Sequence, residues 1–445
     1  MKDGKELYTG TVKHTVFSNV LPAMSASFLA LVYNLADTVF IARTHNDLMI
    51  AAVSLAAPVF LLYMSFGTLF GIGGASVVSR ALGRGDRMRA DRASSFSVWA
   101  GVITGIAAMA LCWCCMEPLL ALFGAGPETT GYTRDYLSIV NLSGLFSVFV
   151  NCSAYLVRAE GKARVSMWGT LIGNLLNLVL DPLFILGMNW GVIGAAWATV
   201  IGNAAAALYY LAYILSGRCS LSVRLGDLTL GHGIPWSVLS IGIPAALTSI
   251  LMSVSQIIAN SMIASYGDLA VAGYAIAGKL RMCLFVASDG IGKGIQPVLG
   301  YYYGAGKKER FKDCLAFSSR FSFVFCVALT LLCAVFMDSI VRLFLTAPEA
   351  FSYGVDFSRI MLYSTWFSGF YGVLNGMLQA VGSAFAALVA ALSRQGLIYL
   401  PLLPLLESFL SVYGLVWAQP VAEALSTLLV LGLCLASIRR FISNR

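Results

Sequence analysis

The sequence predicts an all-α polytopic membrane protein with twelve transmembrane helices in two six-helix lobes. Composition is the first reason: 59% of the 445 residues are hydrophobic and only 11% are charged, whereas soluble domains carry about 25% charged residues. The second reason is that apolar stretches of about 20 residues, the length that spans a bilayer, recur along the whole chain. The third reason is an internal repeat that divides these stretches into two matching sets.

Twelve apolar stretches follow one another along the chain. They lie at residues 17–42, 50–79, 94–116, 132–157, 165–187, 191–216, 236–263, 269–300, 315–337, 355–381, 384–409 and 412–438. The second and eighth are long enough to extend beyond the bilayer, so the sequence predicts helices longer than the membrane at these two places.

Basic residues predict the orientation, because cytoplasmic loops of membrane proteins carry the excess of Lys and Arg. They gather in the even-numbered connectors and at both ends, as in Lys2, Lys5 and Lys13, Arg80 to Arg92, Lys307 to Arg320, and Arg439, Arg440 and Arg445. Both termini are therefore predicted to be cytoplasmic. The expected location of this multi-pass protein is a bacterial plasma membrane, and the expected state is a monomer. The net charge of +8 belongs to these flanks, and no nucleic-acid partner is expected.

The repeat relates the two halves at an offset of roughly 220 residues, the signature of a transporter built from two repeats. The matching pairs are Val20–Ala23 with Gly242–Ala245, Asp47 with Asp268, Gly83–Gly85 with Gly304–Gly306, and Gly194–Trp197 with Gly414–Trp417. Six spans per half, an even number, make the halves parallel repeats. The predicted lobes are residues 1–225 and 226–445.

Two acids, Asp37 and Asp181, lie within apolar stretches of the first half. A carboxylate inside a span is energetically costly and is by default a functional-site hypothesis. Asn177 and Asp181 are four residues apart on one helix face, as are Tyr33 and Asp37. A rise of about 1.5 Å per residue places both acids and Thr199 at a similar depth, in the outer half of the lobe. We therefore expect one polar site there.

Each acid also has a simpler interpretation, at a helix end wetted by the interface or in a turn made by Pro182. The repeat favours the functional one. Asp37 falls opposite Ala259, and Asp181 falls opposite the apolar run at 401–404. A structural role common to both lobes would place acids in both. Asn174, on the same face as Asn177 and Asp181, is expected to be a packing residue.

Prolines and the remaining charges give further local predictions. Pro22 should kink the first span, and Pro182 should interrupt the backbone hydrogen bonds after Asp181. Two intramembrane ion pairs are expected, one between Arg394 and Glu423 and the other between Asp289 and Lys293.

Enzymatic motifs do not emerge from the sequence. The Gly71–Gly74 run lacks the Lys-Ser/Thr of a phosphate-binding loop, and no His-Glu-x-x-His occurs. Uphill transport by this chain would therefore draw on an ion gradient. Three classes stay open: a cation-coupled exporter, a lipid-linked oligosaccharide or lipid flippase, which needs a cationic cavity for phosphate, and a membrane enzyme with catalytic groups on its loops.

Three motifs resemble the multidrug and toxic compound extrusion (MATE) transporters, and the resemblance covers nearly the whole chain. They are Tyr33–Ile41 (YNLADTVFI), Asn177–Ile185 (NLVLDPLFI) and Ile291–Gly306 (IGKGIQPVLGYYYGAG). The family implies a V-shaped, two-lobe, twelve-helix exporter that exchanges amphipathic, often cationic, compounds for H⁺ or Na⁺ by alternating access. It implies no cofactor and no enzymatic activity.

The seventh span has no acid and the tenth has only Asp356, its second residue, a pattern that resembles the DinF-like branch of the family. The resemblance then implies that Asp37, Asn177, Asp181 and Thr199 correspond to a cation or proton site, whose oxygens would be the ligands if the ion is Na⁺. It implies that Pro22 and Tyr33 belong to a first helix that bends on protonation. Asn34, which follows Tyr33 and falls opposite Gln256 in the repeat, and Asn151, which matches a polar position of the fourth span, are expected at the substrate cavity or at this helix-1 switch.

Overall fold

The structure, a computed structural model, describes residues 8–44, 46–219, 221–345 and 347–443. Lys2, Lys5 and Arg445, which support the predicted orientation, lie outside the described residues. The described part of the chain is helical throughout, with turns and short connectors between the helices. The predicted all-α class is therefore confirmed.

The first half contains seven α-helices. They are α1 (Val12–Ala42), α2 (Asp47–Arg84), α3 (Arg87–Cys114), the short α4 (Met116–Leu122), α5 (Thr130–Ala159), α6 (Ala163–Pro182) and α7 (Gly191–Leu215). A π-helical turn, Leu183–Gly187, continues α6, and a 3₁₀ turn, Leu225–Asp227, lies in the connector to the second half.

The second half repeats this order with one more interruption. Its helices are α8 (Ile234–Ala264), α9 (Asp268–Gly304), α10 (Lys308–Val335), the short α11 (Met337–Arg342), α12 (Pro348–Val381), α13 (Ala384–Leu392), α14 (Tyr399–Leu410) and α15 (Val412–Ser443). A second π-helical turn, Ser393–Leu397, joins α13 to α14 into one long segment.

Each of the twelve predicted spans coincides with one long helical segment. Within the described residues, eleven helices are long and apolar enough to cross a membrane. The twelfth segment, α12, is 34 residues long and less apolar. Several of its polar residues are buried, among them Ser364, Thr365 and Gln379, so neighbouring helices cover them and the helix needs less hydropathy of its own.

The chain forms two compact units, residues 25–242 and residues 8–24 with 243–443. The first helix therefore begins in the second unit, and α8 begins in the first, which differs from the predicted lobe boundary at residue 225. Close glycine contacts explain the difference. A Cβ added at Gly294 of α9 would lie 2.6 Å from Cα of Val20, and one at Gly290 would lie 2.8 Å from Cα of Met24.

The first unit packs α2 against α5 at its centre. Gly67 and Gly71 of α2 allow the close approach: a Cβ at either position would lie 2.6 Å from a side-chain atom of α5, in Asn151 or Tyr155. The buried Tyr63 of α2 donates its hydroxyl hydrogen bond to Asn141 Oδ1 of α5. This packing holds the inner faces of both helices beside α6 and α7.

Candidate functional site: a carboxyl pair beside a polar cavity

Helix α6 presents Asn177 and Asp181 on one face, and both side chains are buried. The α-helix ends at Pro182, and the π-helical turn Leu183–Gly187 follows. Proline has no N–H to donate and its ring displaces the preceding turn, so the regular hydrogen bonds cannot continue through it. The predicted interruption after Asp181 is confirmed.

Two glycines bring α7 against this face of α6. A Cβ at Gly202 would lie 2.7 Å from the carbonyl oxygen of Gly173, and a Cβ at Gly173 would lie 3.0 Å from that of Gly202. Any larger residue would separate the helices. Because the backbones touch here, Thr199 of α7 reaches Asn177 of α6.

Asn177 links the acid to the neighbouring helix. We orient the Asn177 amide so that its nitrogen faces acceptors and its oxygen faces donors. The nitrogen then donates to both carboxyl oxygens of Asp181, at 2.7 and 3.2 Å. The amide oxygen accepts from the hydroxyl and the backbone N–H of Thr199, at 3.2 and 3.1 Å. Asn177 thus uses both ends of its amide and fixes the position of Asp181.

Asp37 completes the site from α1. The carboxyl group of Asp37 lies close enough to that of Asp181 for the two groups to interact. Two charged carboxylates at such a distance repel one another, so binding of a proton or another cation between them would relieve the repulsion. The side chain of Asp181 is 0% exposed, and a buried carboxylate needs such partners because isolated burial of its charge is costly.

Two tyrosines flank the carboxyl pair. Tyr33, one turn before Asp37, lies close enough to Thr199 and to both acids to interact with them. Tyr136 of α5 is buried close enough to both acids to interact with them electrostatically. The pair is therefore surrounded by helices α1, α5, α6 and α7.

A cavity of about 140 Å³ lies beside this network. Its lining residues come from α1, α2, α5, α6 and α7: Ala30, Tyr33, Asn34, Phe60, Met64, Ser147, Val150, Asn151, Ala154, Thr170, Gly173, Asn174, Asn177, Thr199, Gly202, Asn203 and Ala206. The predicted Tyr33, Asn34, Asn151, Asn177 and Thr199 all lie there. The acids are connected to the cavity through Asn177 and Thr199.

Two predictions differ from this arrangement. Asn174 was expected to pack, but it lines the cavity, and its amide nitrogen has no hydrogen-bond partner among the described residues. Pro22 belongs to the second compact unit, and α1 continues through it. The structure therefore does not place Pro22 with the other candidate residues.

Sequence reasoning missed Asn203 and Tyr136. Asn203 lies one helical turn after Thr199 and lines the cavity, so the four-residue spacing that linked Asn177 to Asp181 could also have indicated it. Tyr136 has no such signal, because a tyrosine in an apolar span is usually read as packing and only the helix arrangement places it beside the acids.

The two predicted ion pairs of the second unit are confirmed. Arg394 and Glu423 approach to 2.6 Å, and Lys293 and Asp289 to 2.5 Å.

Comparison with known proteins now identifies the family. The MatE family model matches residues 22–183 and 244–405, one match in each half of the chain. This chain belongs to the MATE family. The match is to the family as a whole, so the DinF-like branch stays a prediction.

Relatives and solved structures agree with the MATE assignment. The chain is 32% identical over 414 residues to the multidrug export protein MepA of Staphylococcus haemolyticus, covering 92% of this chain and 90% of that protein. It is 32% identical over 411 residues to MepA of Staphylococcus aureus, with the same coverage. Its fold matches an outward-facing multidrug resistance MATE transporter with a TM-score of 0.94, at 22% identity over 99% of both chains.

Proposed function

We propose that the protein is a cation-coupled antiporter that exports amphipathic, often cationic, organic compounds by alternating access. The neighbouring carboxyl groups of Asp37 and Asp181, beside a polar cavity in a largely apolar unit, carry this proposal. Two such acids within membrane spans can take up a cation when the site faces one side of the membrane and release it when the site faces the other. The relatives named as multidrug export proteins support the same function.

We take H⁺ as the coupling ion. A sodium ion would need oxygen ligands from Asp37, Asn177, Asp181 and Thr199. With the amide of Asn177 oriented so that its nitrogen donates to Asp181, its oxygen accepts from Thr199, whereas the opposite orientation would turn the oxygen toward Asp181 as a sodium ligand. The two coupling ions thus correspond to the two orientations of this amide.

The lining of the cavity suits a flat cation. Tyr33, Phe60 and Met64 supply aromatic and polarisable surface, and amides supply polar contacts. Among the described lining residues none is Lys or Arg, which favours an organic cation over the phosphate of a flippase substrate. Pockets for drug-sized ligands measure roughly 300–1,000 Å³, so we expect the cavity to widen when such a compound enters.

In the proposed cycle, protonation from outside neutralises the carboxyl pair and changes its contacts. Tyr33 and Asp37 lie on α1, so we expect this helix to move when the pair changes its charge, with Pro22 as the flexible point. Substrate release follows from the altered cavity. The proposal includes a bacterial plasma membrane location, cytoplasmic termini, a monomeric state and no enzymatic activity.

The first experiment removes the titratable groups one at a time. We expect Asp37→Asn and Asp181→Asn to abolish the efflux of a fluorescent organic cation from cells at normal expression. Asp356→Asn is the matched control, because Asp356 lies on α12 and contacts Tyr413 at 3.4 Å, outside the candidate site. Full efflux in both site variants would contradict the proposal.

The second experiment identifies the ion. Purified protein in vesicles is given a pH gradient or a Na⁺ gradient, one at a time, and substrate uptake is measured. We expect a pH gradient alone to drive transport. Transport driven only by Na⁺ would keep the antiporter but overturn the proton assignment.

A further inference from the structure

The second unit carries a charged cluster at positions whose repeat partners line the cavity of the first unit. Gly161 and Gly382 end the matching helices α5 and α12, and both have positive φ, 84° and 76°. Counted from these two residues, Arg394 falls opposite Gly173 and Tyr371 falls opposite Val150. Both first-unit positions line the cavity.

The other members of the cluster also match residues that line the first-unit cavity. Counted from Gly194 and Gly414, Glu423 falls opposite Asn203 and Gln419 falls opposite Thr199. Counted from Gly85 and Gly306, Phe285 falls opposite Met64. Asn203, Thr199 and Met64 are also cavity residues. The second unit therefore places five side chains where the first unit has the walls of an open space; we call Phe285, Tyr371, Arg394, Gln419 and Glu423 the Arg394 cluster.

The centre of the cluster is the guanidinium group of Arg394, which is 4% exposed. Its carbon atom Cζ lies 4.7 Å from the ring centroid of Phe285 and 4.4 Å from that of Tyr371. Its Nε and Nη2 donate to Glu423 Oε1 at 3.0 and 2.6 Å. Gln419 Nε2 donates to the same oxygen at 3.2 Å.

The backbone is shaped to place this side chain. Arg394 lies in the π-helical turn Ser393–Leu397, a distortion that often marks functional positions in helices. Ser255 of α8 donates its hydroxyl to the carbonyl oxygen of Gln395 in the same turn. The turn is thus held by a neighbouring helix.

Two aromatic rings and a buried carboxylate are the groups with which proteins bind organic cations. Glu423 is 0% exposed, and its second oxygen, Oε2, has no hydrogen-bond partner in the described part of the chain. The nearby Asp289 already pairs with Lys293. The arginine side chain thus occupies the place that a bound cation would take.

We propose that the Arg394 cluster is a second organic-cation site that the protein fills with its own arginine. The arginine excludes external cations from the second unit and confines them to the cavity of the first. This inference rests on the proposed function for the statement that the first-unit cavity takes organic cations.

The test removes the arginine side chain and offers a small soluble cation of the same chemistry in its place. Arg394→Gly, which introduces the residue found at the matching first-unit position, is purified in detergent and titrated with propylguanidinium. The neutral analogue propylurea is the ligand control, and the wild-type protein is the protein control. Thermal unfolding midpoints and isothermal titration report binding, because a ligand that binds only the folded state raises its stability.

We expect propylguanidinium to bind Arg394→Gly saturably and to raise its unfolding midpoint, with no effect on the wild type and little effect from propylurea. In Arg394→Gly/Glu423→Gln the affinity should fall at least about tenfold, since a charge-assisted hydrogen bond is lost. Equal effects of the urea and the cation, or equal affinity in the double variant, would overturn the proposal.

Arg394→Ala is a second variant, used because a glycine in a helix can itself prevent folding. We expect propylguanidinium to bind it as it binds Arg394→Gly. If neither variant folds even when it is purified with propylguanidinium present, the proposal also fails, because a ligand that fills the site should stabilise it. Titration of the wild type with ethidium tests the first-unit cavity separately. No ethidium binding would count against the proposed function while leaving the propylguanidinium result to decide the second site.

Discussion

The crossing of α6 with α7 in the first unit and the crossing of α13 and α14 with α15 in the second occupy matching positions in the two repeats, yet they hold different side chains. In the first, Gly173 and Gly202 bring the backbones into contact, and amides line a cavity beside them. In the second, Arg394 and Glu423 form an ion pair buried between aromatic rings.

The difference shows how one helix arrangement can serve two purposes. The helix order and lengths agree between the halves, so the fold tolerates either solution. Side-chain volume and charge decide whether the space beside the crossing stays open or is filled. Beside the first-unit crossing lie the two acids Asp37 and Asp181, whereas beside the second-unit crossing Arg394 is paired with Glu423.

The largest expected effect comes from removing one member of the buried pair. Arg394→Ala leaves Glu423 as an uncompensated buried charge and should lower the free energy of unfolding by about 3–5 kcal/mol. Lys293→Ala is the matched control, because its pair with Asp289 is about one-third exposed and should contribute only about 0–1 kcal/mol. Unfolding in detergent micelles measures both. Equal losses would show that burial does not distinguish the two pairs.

A smaller loss is expected from Asn177→Ala in the first unit. Asp181 would lose both amide contacts, and Thr199 would keep only the carbonyl oxygen of Ala195 as an acceptor for its hydroxyl, so the free energy of unfolding should fall by about 1–3 kcal/mol. Asn174→Ala, one turn earlier on α6, removes an amide nitrogen without a partner in the described residues and should change stability by less than about 0.5 kcal/mol. If the two variants unfold alike, the network around Asp181 is not what fixes this helix face.

Forcing α6 and α7 apart should have a still smaller effect on stability. Gly202→Ala places a methyl group 2.7 Å from the carbonyl oxygen of Gly173, and the resulting shift should cost about 1–2 kcal/mol and reduce efflux by narrowing the cavity. Gly432→Ala on α15 is the control. No atom among the described residues lies within 4 Å of its added carbon, and alanine favours the helix by up to about 1 kcal/mol. We expect the free energy of unfolding to fall in Gly202→Ala and to rise in Gly432→Ala. A change in the same direction in both variants would argue against the close contact.

The smallest effect is expected when the ion pair is replaced as a whole. Arg394→Met/Glu423→Met removes both charges and keeps apolar volume, so its free energy of unfolding should lie within about 1 kcal/mol of the wild type or above it. Its propylguanidinium binding should be absent. A loss as large as that of Arg394→Ala would mean that the pair is needed for the fold itself.

Much of the site could be inferred before the structure. The four-residue spacing of Asn177 and Asp181 and the similar depth of Asp37 and Thr199 predicted residues that the structure brings together. The same reasoning could not show that Asn174 lines the cavity, because helix spacing gives a face and does not say what lies against it. It also placed the lobe boundary at residue 225, although α8 begins in the first unit, since contacts between helices far apart in sequence decide that membership.

The sequence by itself determined the helical class, the twelve spans and their repeat, because bilayer thickness fixes the length of an apolar helix and backbone hydrogen bonds must be satisfied within it. It also determined that Asp37 and Asp181 have no acidic counterpart at the matching positions of the second lobe. Only the tertiary structure decided that Asn177 holds Asp181 while Thr199 holds Asn177, and that Arg394 fills the counterpart of an open cavity. These outcomes depend on how closely helices approach, and that distance is set by glycines and side-chain volumes on different segments of the chain.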